Sequence, residues 1–471
     1  MEQNNRIEFY PAPLFKIGDQ TIIAKIDPEN KIEESNETNN ENSIEITVKE
    51  TGTLDILYVK VNSKWPANYG APEPEVFQNT VEQSTKFIQT TFPIRDREVL
   101  AGIYPGELLG SSFPTCIRIE RYGAVVLLCG AINLDIRWLA KLAIKEVWDR
   151  VVGVVSDSYF AYHGACLCDQ ICAKGVSFPD IKNAVIAQGG YYTTTAHEIG
   201  HTYGLPDEYE FDINTCNFTE EGNPANGFWV EEKKDIESIC FMGSAAPRGT
   251  LDRWVDLNHY SQLFNQFKKG SDPNYVLLID GVISINGDIG LGSWYYLEDR
   301  EIEAPSPGDY SVVLVDKNGQ TLEEVKFDAS FFMYIEPFGA IESDSAPFVF
   351  AVPYPKDTSK VQIKYKDQLI AEINPTTKLL HDAVDSIPDY GFINNPEQLR
   401  KALHNKINEV EVKIENDEIQ DAMNKLEFDI KDKIEKWLID NYELGDPLQL
   451  SKEEVIELVN RIINRLTAQI E

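Results

Sequence analysis

No run of 18 apolar residues occurs in this chain, so no segment is built to span a bilayer as a helix. The start, MEQNNRIEFYPAP, lacks a charged n-region followed by an apolar h-region, so no signal peptide is visible in it. Basic residues are scarce. Lys and Arg number 43 against 77 Asp and Glu, a net charge of −34. That field repels phosphate backbones and anionic lipid, which excludes nucleic acid and membrane surfaces as natural partners. Seven cysteines in 471 residues are too few for a disulfide scaffold. All lie between Cys116 and Cys240, which suits a few disulfides in one secreted domain, a metal site, or buried thiols. What remains is ordinary for folded protein: 42% hydrophobic and 11% aromatic residues, in a length that suggests about three domains.

The texture changes along the chain, and the fold class expected is multidomain. Residues 1–52 are polar, with strands read at 22–26 and 44–48 around an acidic loop at 27–40, a partial β module. Residues 53–270 mix strands and helices as an α+β domain. Its strands are read at LDILYVKV, on both sides of Tyr122-Gly123, at 152–155 and at 184–187; its helices are read at 81–90 and 138–151. Residues 271–378 carry strand signals only, YVLLI, YSVVLV, FFMYI, FVFAV and KVQIKY, with an Asn318-Gly319 hairpin turn, and read as a β-sandwich. Residues 379–471 read as a small helical bundle. Its stripes are Leu399, Leu403, Ile407, Val410 and Ile414, then Ala422, Leu426, Ile430, Ile434 and Trp437, then Val455, Val459, Ile462 and Leu466. Asn395-Pro396 is read as the cap of the first helix, and Ser451-Lys-Glu-Glu454 as a capping box for the third.

The informative segment is TAHEIGHTYGLPDEY, residues 195–209. His197 and His201 stand at i and i+4, so on a helix both imidazoles face one way and can share one Zn²⁺. Glu198 lies beside them, within reach of a metal-bound water whose pKa zinc lowers toward about 7. Gly204 ends the helix where the chain must turn. Asp207 then returns a carboxylate as third ligand, leaving a fourth position for water or substrate. Pro206 forces an extended step before it, so Glu208 should point away from the metal and act at most on a ligand's orientation. An Asp ligand leaves net +1 on the zinc site, where a third neutral His would leave +2, which makes Glu198 more necessary. The bland alternative is an ordinary helix with two exposed histidines.

HEIGHTYGLPDEY resembles the zinc site of metzincin-clan metallopeptidases. It is similar to the snapalysin type, where Asp replaces the usual third His, and to the IgA-specific metallopeptidases with their Gly-Leu-x-Asp-Glu-Tyr ending. The resemblance implies a Met-turn beneath the metal, and Cys240-Phe-Met242-Gly-Ser offers one; the competing reading of Met242 is a core residue on a strand. No Tyr follows Met242 where some metzincins place a transition-state donor. Separately, DPENKIEESNETNN is similar to the closing motif of CARDB-type adhesion-related modules, which implies that only the end of such a module is present. The helical tail looks like small modules closing archaeal surface proteins. Both imply an extracellular or cell-surface location.

His163 with Cys166, Cys168 and Cys172 fits no common zinc knuckle and reads better as disulfide partners. Cys216–Cys240 is expected as a disulfide bracing Met242, and Cys116–Cys129 as a bridge across a two-residue hairpin. His259 reads as a surface or capping residue, and some Asp clusters are candidates for Ca²⁺. Together these features predict a zinc endopeptidase, in which zinc-bound water attacks a peptide carbonyl while Glu198 serves as base and then acid. The expected partners are a protein or peptide substrate, with the 184–187 strand read as an edge that holds it by strand addition, and cell-surface partners for the β and helical modules. The rival is a non-catalytic adhesion or surface-layer protein that only binds through this domain; self-processing is a third possibility.

Overall fold

The structure is a computed structural model. It describes residues 18–25, 31, 40–48, 51–63, 71–94, 99–110, 116–121, 124–162, 166–167, 171–209, 211–212, 217–218, 222–229, 234–243, 253–266, 275–298, 303–336 and 338–470. The chain forms two compact units, Met1–Gly52 and Thr53–Glu471.

In the first unit, β1 (Gly18–Lys25) pairs antiparallel with β2 (Glu41–Val48), Gly18 opposite Val48 and Lys25 opposite Glu41. β-branched Ile22 and Ile44 face each other across the pair, and Lys25 Nζ lies 2.7 Å from Glu41 Oε2. Both expected strands are present, each beginning a little earlier. Most of the 27–40 loop lies outside the described residues.

The second unit opens with β3 (Leu54–Ser63), α1 (Pro74–Thr91) and β4 (Val99–Gly110). The hairpin of β5 (Cys116–Arg121) and β6 (Ala124–Cys129) leads to α2 (Gly130–Glu146) and β7 (Arg150–Val155). Val147, at φ 62°, ends α2 short of the helix expected over 138–151. Then come α3 (Tyr159–Tyr162), the short pair β8 (Cys166–Leu167) and β9 (Ile171–Cys172), β10 (Gly175–Ser177), β11 (Ala184–Gln188) and α4 (Tyr192–Thr202). Two further hairpins, β12 (Phe211–Asp212) with β13 (Asn217–Phe218) and β14 (Pro224–Trp229) with β15 (Lys234–Ile239), precede α5 (Leu257–Gln266).

β4, β3, β7 and β11 lie side by side and parallel. β7 and β11, RVVGVV and AVIAQ, are almost wholly apolar because both of their faces are covered. Along β7, Val151 and Val155 face α2, with Ile132, Ile136 and Leu139, while Val152 and Val154 face the other layer, with Phe77 and Val81 of α1 and Ala196 and Ile199 of α4. Each such Val or Ile withdrawn from water stabilises by about 1.5–3 kcal/mol. β10 continues the sheet antiparallel to β11.

The remaining strands are β16 (Tyr275–Ser284), β17 (Ile289–Leu291), β18 (Tyr295–Glu298), β19 (Tyr310–Val315), β20 (Thr321–Phe327), β21 (Phe332–Glu336), β22 (Gly339–Glu342), β23 (Ser345–Pro353), β24 (Lys360–Tyr365) and β25 (Gln368–Ile373). β21 and β22 cross the boundary expected at residue 270. β21 pairs with β10 and β22 with β21, giving the seven-stranded order β22-β21-β10-β11-β7-β3-β4. β21 takes the outer side of β10, whose buried backbone groups need partners, and β10 takes the outer side of β11. β11 is therefore not an edge, as expected from the sequence, but an internal strand with all five residues buried.

The other eight strands make two four-stranded antiparallel sheets that share one apolar cluster with the C-terminal helices. In β16, Leu277 and Ile279 enter that cluster, while Leu278 faces the cluster around α2. α2 thus packs on two sheets. Buried Asp280 of β16 holds Arg137 at 2.6 Å and Lys141 at 3.2 Å, both on α2. The helices are α6 (Pro375–Ser386), α7 (Pro396–Glu415), α8 (Ile419–Lys425), α9 (Lys431–Trp437) and α10 (Lys452–Ile470). All three expected apolar stripes enter the shared cluster. The Ser451 capping box forms, with Ser451 N donating to Glu454 Oε2 and Glu454 N to Ser451 Oγ. Asn395 does not cap α7 through its side chain; it stands at φ 36° and spends its amide on Gln398.

Candidate metal centre

α4 runs directly from the end of β11 and is buried from Thr193 to Thr202. Gly200 lets it approach the core closely: a Cβ there would stand 2.9 Å from Met242 Sδ and 3.2 Å from Phe241 Cε2. The helix closes in a Schellman turn. Gly204, at φ +79°, donates to His201 O, and Leu205 N donates to Gly200 O. Arg150 at the start of β7 holds this end, donating through Nε to Thr202 Oγ1 at 2.8 Å with its guanidinium over the Tyr203 ring.

The turn that ends the helix also fixes His201, whose Nδ1 lies 2.7 Å from Leu205 O. His197 Nδ1 lies 3.1 Å from Phe241 O. A carbonyl only accepts, so each Nδ1 is the protonated nitrogen and each Nε2 of the neutral rings is bare. The two Nε2 atoms face each other at 3.0 Å. Asp207 Oδ1 completes the triangle, 3.1 Å from His197 Nε2 and 3.5 Å from His201 Nε2. Two lone pairs and an anion converging in a buried place leave a gap that a cation fits. The edges match those of a tetrahedral zinc site, about 3.3 Å for arms of about 2.0–2.1 Å. Each imidazole also has its other nitrogen tied to a carbonyl, the support a metal-binding His ordinarily has.

Glu198 is fully buried beside His197, and its side chain lies across Gly175 of β10. A Cβ at Gly175 would stand only 2.7 Å from Glu198 Cδ. Met242 is fully buried in a tight turn in which Gly243 N donates to Cys240 O. The same turn supports the centre twice, through Phe241 O to His197 and through Met242 O, which accepts from Glu208 N. Sequence reasoning missed Tyr334 of β21. Its ring stacks on His201 with centroids 3.9 Å apart and planes 5° apart. Burial, then the Asp207 charge, push its phenol up. Gly339 of β22 also comes close, with room for a Cβ only 3.5 Å from Asp207 Oδ2.

Glu208 turns away from the imidazoles and accepts from Asn223 N and Nδ2 at 2.8 and 2.6 Å. His259 is not a surface residue. It is buried on α5, where Asp256 and Glu208 surround it. Cys240 is a free buried thiol rather than a disulfide partner, because it faces His259 Nδ1 at 3.3 Å; Cys216 lies outside the described residues. Cys166 and Cys172 are joined in a disulfide, which removes both from any metal set. His163 and Cys168 lie outside the described residues. The β5–β6 register puts Cys116 opposite Cys129, whose side chains also lie outside the description. Two clusters of metal-ligating side chains occur among the described residues, and neither is built of oxygens alone, the donor set Ca²⁺ takes. No described helix is long and apolar enough to cross a membrane.

Residues 2–44 match the CARDB family. No curated protein matches the chain.

Proposed function

We propose that this chain is a zinc-dependent peptide hydrolase of metzincin type that works outside the cell. The observation that carries the reading is the pair of imidazole Nε2 atoms 3.0 Å apart, closed by the Asp207 carboxylate. HEIGHTYGLPDEY and the buried Met242 turn under α4 support the metzincin comparison. The Cys166–Cys172 disulfide and the CARDB match support an oxidising, extracellular setting.

His197, His201 and Asp207 would hold the ion. When bound, zinc polarises the scissile carbonyl and makes water more acidic. The chain's own chemistry is proton transfer and positioning. Glu198 takes one proton from the attacking water as its oxygen bonds to the carbonyl carbon. It returns that proton to the nitrogen as the carbon–nitrogen bond breaks. Asp207 offsets part of the ion's charge, and Tyr334 fixes the plane of the His201 ring. A protein that only binds is the second reading, favoured by the adhesion-type match at residues 2–44. It gives no reason for Glu198, since burying a carboxylate is costly and ligation does not use it. Incubating the purified full chain with a peptide library, with and without a zinc chelator, tests the proposal. Chelator-sensitive cleavage is expected. Intact peptides in the presence of stoichiometric zinc would favour the binding protein.

A further inference from the structure

Beneath the first centre lies a second convergence of donors. Glu208, Cys240, Asp256 and His259 bring one ligand atom each to within 4.8 Å of one another. The four come from three separate segments: the loop after α4, the Met242 turn, and the first turn of α5. His259 Nδ1 is central, 2.7 Å from Asp256 Oδ2, 3.3 Å from Glu208 Oε1 and 3.3 Å from Cys240 Sγ. Asp256 divides its work. Its Oδ1 caps α5, accepting from Asn258 N and His259 N at 2.7 and 3.2 Å. Its Oδ2 is buried and points into the cluster, toward His259 Nδ1. An imidazole, two carboxylates and a thiol packed together in a buried place ask for a cation.

We propose that these four side chains form a second metal site, a structural one, for a zinc-class divalent ion. The donor set is sulfur, nitrogen and two oxygens, which suits borderline-soft Zn²⁺ and not Ca²⁺ or Mg²⁺. Tetrahedral arms of about 2.0–2.3 Å give edges of about 3.3–3.8 Å, close to two of the three distances around His259. A supporting residue is present as well. Asn223 donates twice to Glu208, and its carbonyl accepts from Cys240 N at 2.9 Å, so one residue orients two ligands. A polar cleft lined by Pro206, Asp207, Glu208, Asn223 and His259 gives a way in.

The consequence is mechanical. Phe241 N donates to Trp254 O at 2.7 Å, so the Met242 turn already leans on the segment leading to α5. An ion here staples that turn to α5 and to Glu208. The same turn holds His197 through Phe241 O. Consecutive carboxylates, Asp207 and Glu208, would then serve two different ions.

The test is metal content of the purified full chain together with cobalt spectroscopy. The first centre holds no sulfur, so a thiolate-to-cobalt charge-transfer band reports the second site alone. Two zinc equivalents are expected for the wild type and one for the His197→Ala/His201→Ala variant, with the sulfur band kept in both. Cys240→Ser is expected to lose the band and one equivalent. A single equivalent that survives His197→Ala/His201→Ala with its sulfur band supports this site and removes the first. A wild type without the sulfur band overturns the second site, whether or not the first centre binds, and needs no variant to fold.

Discussion

At the residue scale, the centre depends on small details around His197, His201 and Asp207. The two histidines and the acid were legible because one helix and one Pro-directed step fix their spacing. Tyr334 and Gly175 were not, since sheet pairing alone brings them to α4. Cys240 was read as half of a disulfide and His259 as a surface or capping residue, because sequence does not reveal that α5 folds back onto the turn and buries both. Gly175 now gains a specific role as the space that Glu198 occupies. Gly175→Ala sets a Cβ 2.7 Å from Glu198 Cδ on a strand that is paired on both sides and cannot retreat. Turnover should fall by about 100-fold, the effect of displacing a reacting group by an ångström. Zinc content should stay unchanged. Wild-type turnover in this variant would show that Glu198 need not hold its observed place.

At the element scale, periodicity revealed most strands and helices, while their partners stayed hidden. FFMYI was read as a strand, yet nothing in it distinguishes a sandwich strand from one that extends the central sheet as β21. The stripe Ala422, Leu426, Ile430, Ile434 repeats every four residues, and four residues overshoot an α-helical turn of 3.6. The chain answers with a π-helical stretch, Leu426–Ile430, which widens the turn and keeps these residues on one face. The entry to β21 has its own pH-sensitive anchor. Asp180 accepts from Ser330 N and Oγ, and burial pushes its carboxyl up to about 7. A raised folded-state pKa adds stability fully below the unfolded value near 4 and loses it as pH rises to 7. The loss should reach about 4 kcal/mol, at 1.36 kcal/mol per unit. Urea midpoints measured from pH 4 to 8 should fall across that window. Asp180→Asn should flatten this part of the profile, and an unchanged slope would assign the dependence elsewhere.

At the scale of the whole molecule, regions that look separate in the sequence share cores from residue 53 onward. α2 packs on the central sheet and on β16 and β23, so removing either side exposes one of its faces. The buried Asp280 with Arg137 and Lys141 locks that contact. Asp280→Ala would leave two cations without their anion and should cost about 3–5 kcal/mol, read from the urea midpoint. A fragment ending at residue 270 lacks β21, β22 and Asp280. It should show no cooperative unfolding transition, and a sharp one would restore the boundary there.

The most direct measurement compares zinc content and peptide hydrolysis in Glu198→Ala and in the wild type. Glu198 is assigned proton transfer and no part in holding the ion. The variant should therefore keep the zinc bound by His197, His201 and Asp207 while hydrolysis drops by about 100-fold or more. Loss of that zinc, or turnover equal to the wild type, would contradict the assignment.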